Sequence, residues 1–376
     1  QLPMKQTQAF LSTYTADVSG VCSALFELGG MTVMHDASGC NSTYNTHDEP
    51  RWYDMDSLVY ISGLSELEAV MGDDEKLISD VSDAARQLHP RFIALAGTPI
   101  PMITGCDLPA IAREVEGRTK IPSFAVPSNG IGTYVAGAGQ ALRLYAERFI
   151  TSRPEKRKNA VNILGATPLD FSVNGCVQSM ARRLEKAGFT LQSVFAMSSS
   201  IDAIDKAGAA EANLVVSSVG LPAAKYLQAQ FGTPYVIGAP FGDFFSPYVF
   251  DALRASIRTG ENTRVLGTCS PDAPDTVIVG ESVTAKSLAA ALAVGYGIRA
   301  RVICPVEAPG GVLGACDLQL EDEEEIEEAL RGAKRVIADP LYKPIVPAKS
   351  EFYPLPHEAF SGRIYRKQIP NLAERV

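Results

Sequence analysis

Two cysteines near the N-terminus have a type and a setting that could support metal chemistry. Cys22 closes the segment Ser19–Cys22, and Cys40 follows 18 residues later in a second glycine-containing segment. Thiolates are the standard protein ligands of iron–sulfur clusters. Gly39 would let the backbone approach a bound group closely, because glycine has no Cβ. From these residues alone, an iron–sulfur cluster, another metal and two structural cysteines all stay open.

Zinc is the second metal that this segment could bind. Cys22, His35, Cys40 and His47 could together supply four nitrogen and sulfur ligands. The segment contains no close pair of the C-x2-C type that is usual in zinc sites. The spacing therefore counts against zinc without excluding it.

A third cysteine lies in the loop of residues 96–108. The sequence Ala-Gly-Thr98-Pro ends a predicted strand, and Gly-Cys106-Asp107 leads into a predicted helix, for which Asp107 is the expected N-cap. Such a loop could face a cofactor at the carboxyl end of a sheet. It could equally be an ordinary connection between a strand and a helix.

The segment 280–287, GESVTAKS, nearly matches the phosphate loop G-x4-G-K-[ST]. Ala285 stands where that motif has its second glycine, and the Ala285 Cβ would crowd the turn that holds the phosphates. The pattern favours an ordinary strand-to-helix turn over ATP binding.

The histidines offer few candidates for acid–base chemistry. The chain has four: His35, His47, His89 and His357. His89 precedes a proline at a predicted helix end, so we expect it to cap that helix. His357 lies in a Pro/Gly-rich tail, where it could be structural or a ligand.

The composition excludes several classes of function. The chain has 376 residues, of which 46% are hydrophobic and 20% charged, with a net charge of −9. We expect no nucleic-acid partner, because no basic stripe with interleaved aromatics is present. We expect no membrane span, because no apolar run approaches about 18 residues. The odd count of seven cysteines, with no visible secretory signal, favours the reducing cytoplasm.

Predicted strands and helices alternate from about residue 55 onward. This alternation is typical of parallel sheets covered by helices on both faces. We therefore predict an α/β fold of three Rossmann-like doubly wound domains with mainly parallel sheets, at residues 1–155, 156–265 and 266–376. The predicted strands are 57–62, 91–96, 123–126, 160–164, 191–195, 214–217, 235–237, 275–279, 301–304 and 335–337, and the predicted helices are 73–87, 108–116, 177–187 and 284–296.

Several segments in order resemble nitrogenase component 1 and its relatives, which include protochlorophyllide and chlorophyllide reductases, cofactor-assembly scaffolds and a nickel-tetrapyrrole reductive cyclase. Each segment is degenerate alone, but the ordered set covers nearly the whole chain. The matching segments are Ser38–Cys40, His47–Pro50, Ile61–Glu66, Val70–Leu77, Thr98–Leu108, Val161–Gly165, Phe231–Tyr235, Val279–Glu281, Asp339–Pro340 and Pro356–Gly362.

The resemblance implies three Rossmann-like domains and an anaerobic iron–sulfur oxidoreductase that works as a dimer or as a dimer of dimers. It makes Cys22 and Cys40 ligands of a [4Fe–4S] cluster near a subunit interface, with Gly39 beside them. Electrons would come from a separate ATP-hydrolysing iron protein. That partner would supply the nucleotide chemistry, so this chain would need no intact phosphate loop.

The chain departs from the family pattern at two places. The family's third cluster cysteine falls at Thr98 or Pro99, and Cys106 is displaced toward its helix. Two cysteines per chain would still give four in a homodimer, enough for one shared [4Fe–4S] cluster; otherwise Cys106, an oxygen ligand or a substrate would complete the site. The thiolate ligand of the nitrogenase active cofactor has no cysteine counterpart near Ser217, and His357 falls close to the family's histidine ligand. Nitrogen fixation is therefore not expected.

Our lead hypothesis is an electron-transfer oxidoreductase that passes low-potential electrons through the cluster to a substrate in the interdomain cleft. The alternative is a non-catalytic scaffold for assembly of a metallocluster or tetrapyrrole cofactor. A partner subunit would be a second copy or a related chain. The residues predicted for proton delivery or substrate contact are Glu49, Asp107 and His357. The sequence does not identify the substrate.

Overall fold

In a computed structural model, the chain is described at residues 8–11, 14–37, 39, 49–267 and 275–376. Its strands form three sheets, and every strand pair of the described residues is parallel. Helices cover both faces of the sheets. The predicted fold class is therefore confirmed.

The first sheet has the strand order β2-β1-β3-β4. Its strands are β1 (Met31–His35), β2 (Leu58–Ile61), β3 (Ile93–Gly97) and β4 (Ser123–Val126). Its helices are α1 (Asp17–Leu25), α2 (Glu66–Met71), α3 (Asp74–Leu88), α4 (Pro99–Thr104), α5 (Leu108–Thr119) and α6 (Tyr134–Phe149).

Side chains alternate between two cores across this sheet. On β3, Ile93 and Leu95 pack into an outer core beneath α3 and α5, whereas Ala94 and Ala96 face α1 and α6. His89 is the C-cap of α3, in the left-handed conformation, as predicted. The β1 strand lies between the two cysteines of interest and was not predicted.

The second sheet has the strand order β6-β5-β7-β8-β9. Its strands are β5 (Ala160–Leu164), β6 (Thr190–Val194), β7 (Ala212–Val215), β8 (Tyr235–Ile237) and β9 (Thr263–Arg264). Its helices are α7 (Pro168–Phe171), α8 (Cys176–Lys186), α9 (Ile201–Asp205), α10 (Leu221–Phe231) and α11 (Gly242–Thr259), with 3-10 turns at Ala207–Ala209 and Ser218–Gly220.

The third sheet has the strand order β12-β11-β10-β13-β14. Its strands are β10 (Thr276–Val279), β11 (Ala300–Cys304), β12 (Leu318–Gln319), β13 (Arg335–Ala338) and β14 (Glu351–Pro354). Its helices are α12 (Ser282–Tyr296), α13 (Glu323–Leu330) and α14 (Glu358–Ser361), with 3-10 turns at Pro340–Ile345 and Gly362–Gln368.

The three sheets follow one another along the chain, as the predicted domain order requires, while the domain boundaries themselves stay a prediction. Within the described part of the chain, no helix combines the length and the apolar character needed to cross a bilayer. Cys22, Cys106, Cys176 and Cys304 are free thiols, and Cys316 is disulfide-bonded.

Candidate functional site

The helix that carries Cys22 is held in place by two glycines. A Cβ added at Gly20 would lie 2.4 Å from the Tyr134 carbonyl oxygen, and one added at Gly137 would lie 2.0 Å from the Asp17 carbonyl oxygen. Helices α1 and α6 therefore meet backbone to backbone, which only glycine permits. This contact fixes Cys22 on a helix that is buried along nearly its whole length.

The Cys22 thiol has no exposed surface. Burial raises the pKa of this thiol well above its ordinary range, and the negative charge of Glu49 raises it further. A thiolate here would need positive charge close by. Cys40 and His47 lie outside the described residues, and the part of the chain that is described contains no group of three His, Cys, Asp or Glu side chains arranged to hold a metal ion.

Glu49 is buried and forms an ion pair with Arg51. The Arg51 Nε donates to Glu49 Oε1 at 2.7 Å, and Nη2 donates to Oε2 at 3.2 Å. Glu49 thus contributes a buried negative charge beside Cys22. Its bidentate ion pair with Arg51 fixes the orientation of the carboxylate.

Thr98 is one of two residues, with Pro99, at which the resemblance implies the position of the third family cysteine. It is fully buried at the end of β3, and its Oγ1 donates to the His35 carbonyl oxygen at 2.8 Å. His35 lies at the end of the neighbouring strand, where its Nδ1 is 2.8 Å from Ser62 Oγ and burial lowers its pKa. Gly39 is exposed, and among the described atoms nothing lies within 4 Å of a Cβ added there. We call Cys22, Glu49 and Thr98 the cysteine region.

Cys106 and Asp107 lie on the other side of the first sheet. Cys106 packs against the outer core, whereas Cys22 belongs to the core beneath α1 and α6. The Cys106 Sγ is 3.7 Å from Asp74 Oδ1, and burial raises the pKa of this thiol to about 12. Asp107 is exposed and caps α5, accepting from Ala110 N at 2.9 Å. The fold does not bring these two residues to Cys22.

A second group of polar side chains gathers around Asp170, whose side chain is fully buried. Asp170 Oδ1 accepts from the Tyr134 hydroxyl at 2.6 Å and lies 3.1 Å from His357 Nε2, and Oδ2 accepts from Ser217 Oγ at 2.5 Å. We call these four residues the Asp170 hub. They come from α6, α7, the end of β7 and the start of α14, so all three units contribute to it.

The bonds of His357 define its protonation pattern. Its Nδ1 accepts from the Ala359 backbone N–H at 3.2 Å, and its own backbone N–H donates to Asp339 Oδ2 at 2.7 Å. In the neutral ring the proton must then be on Nε2, which donates it to Asp170. Both ring nitrogens are therefore engaged within the chain.

The hub opens onto a cleft between the second and third sheets. Its side walls are mostly apolar, and it is narrow, with a cavity volume of about 50 Å³. The polar groups on its surface are Asp170, Cys176, Glu281, Thr284 and His357. Ligands bind at such carboxyl-terminal edges in doubly wound folds.

The segment that resembles a phosphate loop borders this cleft and has another role. The Glu281 carboxylate accepts from Val283 N at 3.0 Å and from Thr284 N at 2.9 Å, so it occupies the helix N-terminus where a phosphate would lie. Lys286 is buried in an ion pair with Asp317 at 2.6 Å. The expectation of an ordinary strand-to-helix turn agrees with these contacts.

Sequence reasoning missed Asp170, Tyr134, Ser217 and Arg51. Asp170 follows the predicted strand 160–164, and Ser217 ends the predicted strand 214–217; these positions were the available signal. Tyr134 starts a helix and carried no signal of its own. His357 was predicted, but its partner was not, because the two residues lie 187 positions apart.

Comparison with known proteins agrees with this architecture. The family model described as nitrogenase component 1 type oxidoreductase matches residues 19–256, more than half of the chain. The chain is 28% identical over 196 residues to the nitrogenase iron-molybdenum cofactor biosynthesis protein NifE of Methanosarcina barkeri, covering 49% of this chain and 42% of that protein. It is 24% identical over 183 residues to the nitrogenase molybdenum-iron protein alpha chain of Clostridium pasteurianum, covering 47% of this chain and 33% of that one.

The matches to these two curated relatives therefore span less than half of the relatives' length. A solved chain of nitrogenase Cp1 at pH 6.5 is similar over 99% of this chain and 92% of its own length, with a TM-score of 0.68 and 15% identity. At that identity the likeness supports the fold alone.

Proposed function

The chain belongs to the nitrogenase component 1 type oxidoreductase family, and we propose that it passes low-potential electrons through an iron–sulfur cluster to a substrate in the interdomain cleft. The observation that carries the proposal is the fully buried Cys22 thiol on a helix locked against α6. The resemblance implies that this cysteine is a cluster ligand, and the close contact of α1 with α6 supports a fixed position for it.

The donor set fits a cluster shared between two subunits. Burial disfavours a thiolate at Cys22, and iron would supply the positive charge that stabilises it. Thr98 has a hydroxyl instead of a third thiol, and this hydroxyl donates to the His35 carbonyl oxygen. Cys22 and Cys40 from each of two chains would give the four thiolates of one [4Fe–4S] cluster. When bound, such a cluster accepts and releases one electron at a time.

The cleft beside the Asp170 hub is the proposed substrate site. Asp170 holds His357 with its proton on Nε2 and its ring against the cleft. Because both ring nitrogens are bonded within the chain, His357 would fill the role predicted for it, donating a hydrogen bond or a proton to a bound molecule, only by giving up its bond to Asp170. Glu49 lies beside Cys22 and stays a candidate for proton delivery near the cluster. The same role for Asp107 stays a prediction that its exposed capping position does not support.

An exposed apolar surface supports the proposed reductase partner. Five apolar side chains on α2 and α4 are exposed to solvent and form a surface that we call the docking patch. They are Leu67, Val70, Met71, Met102 and Ile103. The exposed carboxylates of Glu66 and Asp73 lie at its edge. An apolar centre with an acidic rim suits a partner with an apolar centre and a basic rim, and we propose it as the docking surface for the ATP-hydrolysing iron protein.

The scaffold is the second candidate function. Its support is the similarity to a relative named as an iron-molybdenum cofactor biosynthesis protein. A scaffold would hold its cargo without product formation. Anaerobic incubation with the iron protein and ATP separates the two functions, because an oxidoreductase forms a reduced product and a scaffold only oxidises its partner.

The cluster itself is tested by an iron and acid-labile sulfide count after anaerobic reconstitution. We expect about four irons per dimer for a shared cluster, and about eight would mean one in each chain. Cys22→Ser should abolish iron binding, whereas Cys304→Ser, an equally buried thiol in the third unit, should leave it unchanged. The proposal would be overturned if the reconstituted wild-type protein were colourless and contained no iron, and if Cys22→Ser changed neither property.

A further inference from the structure

Arg51 is an almost fully buried cation next to the helix that carries Cys22. Besides its bonds to Glu49, its Nη2 donates to the Ser23 carbonyl oxygen at 2.8 Å, and its Nη1 donates to Glu27 Oε1 at 2.9 Å. Its guanidinium also lies 4.6 Å from the centre of the Phe26 ring. One side chain therefore contacts the Cys22 helix, the turn that follows it and the charge beside Cys22.

The same guanidinium reaches into the second unit. Its Nη1 donates to the Ala196 carbonyl oxygen at 2.9 Å, and Glu27 Oε2 accepts from the Ser198 backbone N–H at 2.7 Å. Ala196 and Ser198 both have positive φ, 72° and 63°, although neither is a glycine. Such conformations cost about 1 kcal/mol or more each and persist only when surrounding contacts hold them. Arg51 and Glu27 provide those contacts.

A second arginine joins the same two units without touching the Cys22 helix. Arg91 Nη2 is 2.5 Å from Asp205 Oδ2, its Nη1 donates to the Tyr145 hydroxyl, and its guanidinium lies 4.4 Å from the centre of the Phe149 ring. Arg91 therefore matches Arg51 in chemistry and in linking the two units. Its guanidinium donates hydrogen bonds to Tyr145 and Asp205 rather than to Ser23 and Glu49, so Arg91 provides a matched control.

We propose that Arg51 is a positioning residue that fixes the Cys22 helix against the 195–198 turn and sets the charge around Cys22. The positioning part concerns the chain alone. The charge part rests on the proposed cluster, because its effect is read on that group. A guanidinium is suited to both tasks, since it is always charged and donates in a rigid planar fork.

Positioning is tested on cluster-free protein by alkylation with N-ethylmaleimide, followed peptide by peptide. Arg51→Met should label Cys22 about tenfold faster or more, since breaking a buried ion pair loosens its surroundings. Arg51→Lys should also label faster, because an ammonium cannot replace the fork. Arg91→Met should label Cys22 at the wild-type rate. Buried Cys304 reports global unfolding, and its labelling rate should stay unchanged in all three variants.

Charge is tested on reconstituted protein by a redox titration followed by electron paramagnetic resonance. Arg51→Met should shift the cluster's midpoint potential to more negative values, because a nearby cation favours the reduced state. Arg51→Lys should restore it toward wild type, and Arg91→Met should not move it. If Arg51→Met fails to fold, Glu27→Gln, which weakens both the Arg51 and the Ser198 contacts, should still speed Cys22 labelling.

The outcomes separate the two proposals. Wild-type labelling rates in Arg51→Met, Arg51→Lys and Glu27→Gln would overturn the positioning role. An unchanged midpoint potential in Arg51→Met would overturn the charge role. Wild-type protein that binds no iron would overturn the proposed function, while the labelling experiment would still decide the positioning role.

Discussion

The cysteine region and the Asp170 hub are both buried and both polar, but their bonding differs. In the hub, the two Asp170 oxygens and both His357 nitrogens have partners within the chain. In the cysteine region, burial holds Cys22 as a protonated thiol far from its ordinary pKa. The hub is complete as a hydrogen-bonded structure, whereas Cys22 becomes a thiolate only when positive charge arrives. We infer that the hub is a structural connection between the three units, and that, of the two regions, only the cysteine region contains a side chain whose protonation state a bound metal group would change.

The largest effect on stability is expected at Asp170. Asp170→Asn removes the charge that three donors share and turns one of its acceptors into a donor, so buried groups lose their partners. We expect the free energy of unfolding to fall by about 3–5 kcal/mol, measured by urea denaturation of cluster-free protein. The iron count after reconstitution should stay at the wild-type value.

Asp107→Asn is the matched control for this change. Asp107 is an exposed helix cap, and asparagine caps helices nearly as well, so we expect a loss below about 0.5 kcal/mol. An Asp170→Asn variant as stable as Asp107→Asn would mean that the hub is not a connected network.

The second effect is a loss of stability in alkali. Burial raises the pKa of the Cys22 and Cys304 thiols above their ordinary value of 9.0, and that of Cys176 to about 11. Above pH 9 the unfolded chain releases these protons while the folded chain keeps them. Stability is therefore full below pH 9 and falls as pH rises, by up to about 1.4 kcal/mol per pH unit for each thiol.

If Cys22 binds a cluster, its thiol should no longer contribute to the loss of stability in alkali, whereas the Cys304 and Cys176 thiols should still contribute. Urea denaturation at several pH values should give a shallower slope for Cys22→Ala than for wild type, and the same reduction for Cys304→Ala. Reconstituted wild-type protein should resemble Cys22→Ala, because a bound thiolate no longer titrates. A reconstituted protein with the full wild-type slope would argue against Cys22 as a ligand.

A third, smaller effect is expected from Thr98→Cys, which restores the thiol of the family pattern. The variant loses the bond from the Thr98 hydroxyl to the His35 carbonyl oxygen, so we expect a destabilisation of about 1 kcal/mol. If this position faces the cluster, the electron paramagnetic resonance spectrum of the reconstituted protein should change. Thr167→Cys, at another fully buried threonine in the second unit, should leave the spectrum unchanged.

The smallest effect is expected from Cys106→Ser. Cys106 is half-buried against the outer core, on the face of the first sheet opposite Cys22. We expect the iron count to stay constant and the free energy of unfolding to change by less than about 1 kcal/mol, as for most partly exposed positions. A loss of iron would instead make Cys106 the ligand that completes the site.

Local patterns were enough to predict most of the second and third sheets. The strands at 160–164 and 235–237 of the second sheet have the predicted bounds, as does the strand at 123–126 of the first sheet, because each is a short apolar run between turn residues. Strand β14 was missed, since its edge position leaves it largely exposed and it carries no apolar run. Helix α11 was missed as well, and Pro247 lies within it.

The candidate sites were less accessible to sequence reasoning for a physical reason. The contacts of Asp107 as a helix cap and of Glu281 at a strand-to-helix turn are made with residues close in the sequence. Local sequence patterns could therefore predict the cap and the turn. The hub joins residues 134, 170, 217 and 357, and Arg51 reaches Ala196, so these contacts exist only after the chain has folded. No local spacing encodes them.

The glycine contact between α1 and α6 has a mechanical consequence. Gly20 and Gly137 leave no room for even one added carbon, so the two helices can neither slide past each other nor rotate without separating. A group bound to Cys22 would be attached to a frame that does not adapt to it. Its charge could then change with little movement of the surrounding protein, which keeps the reorganisation energy of an electron transfer small.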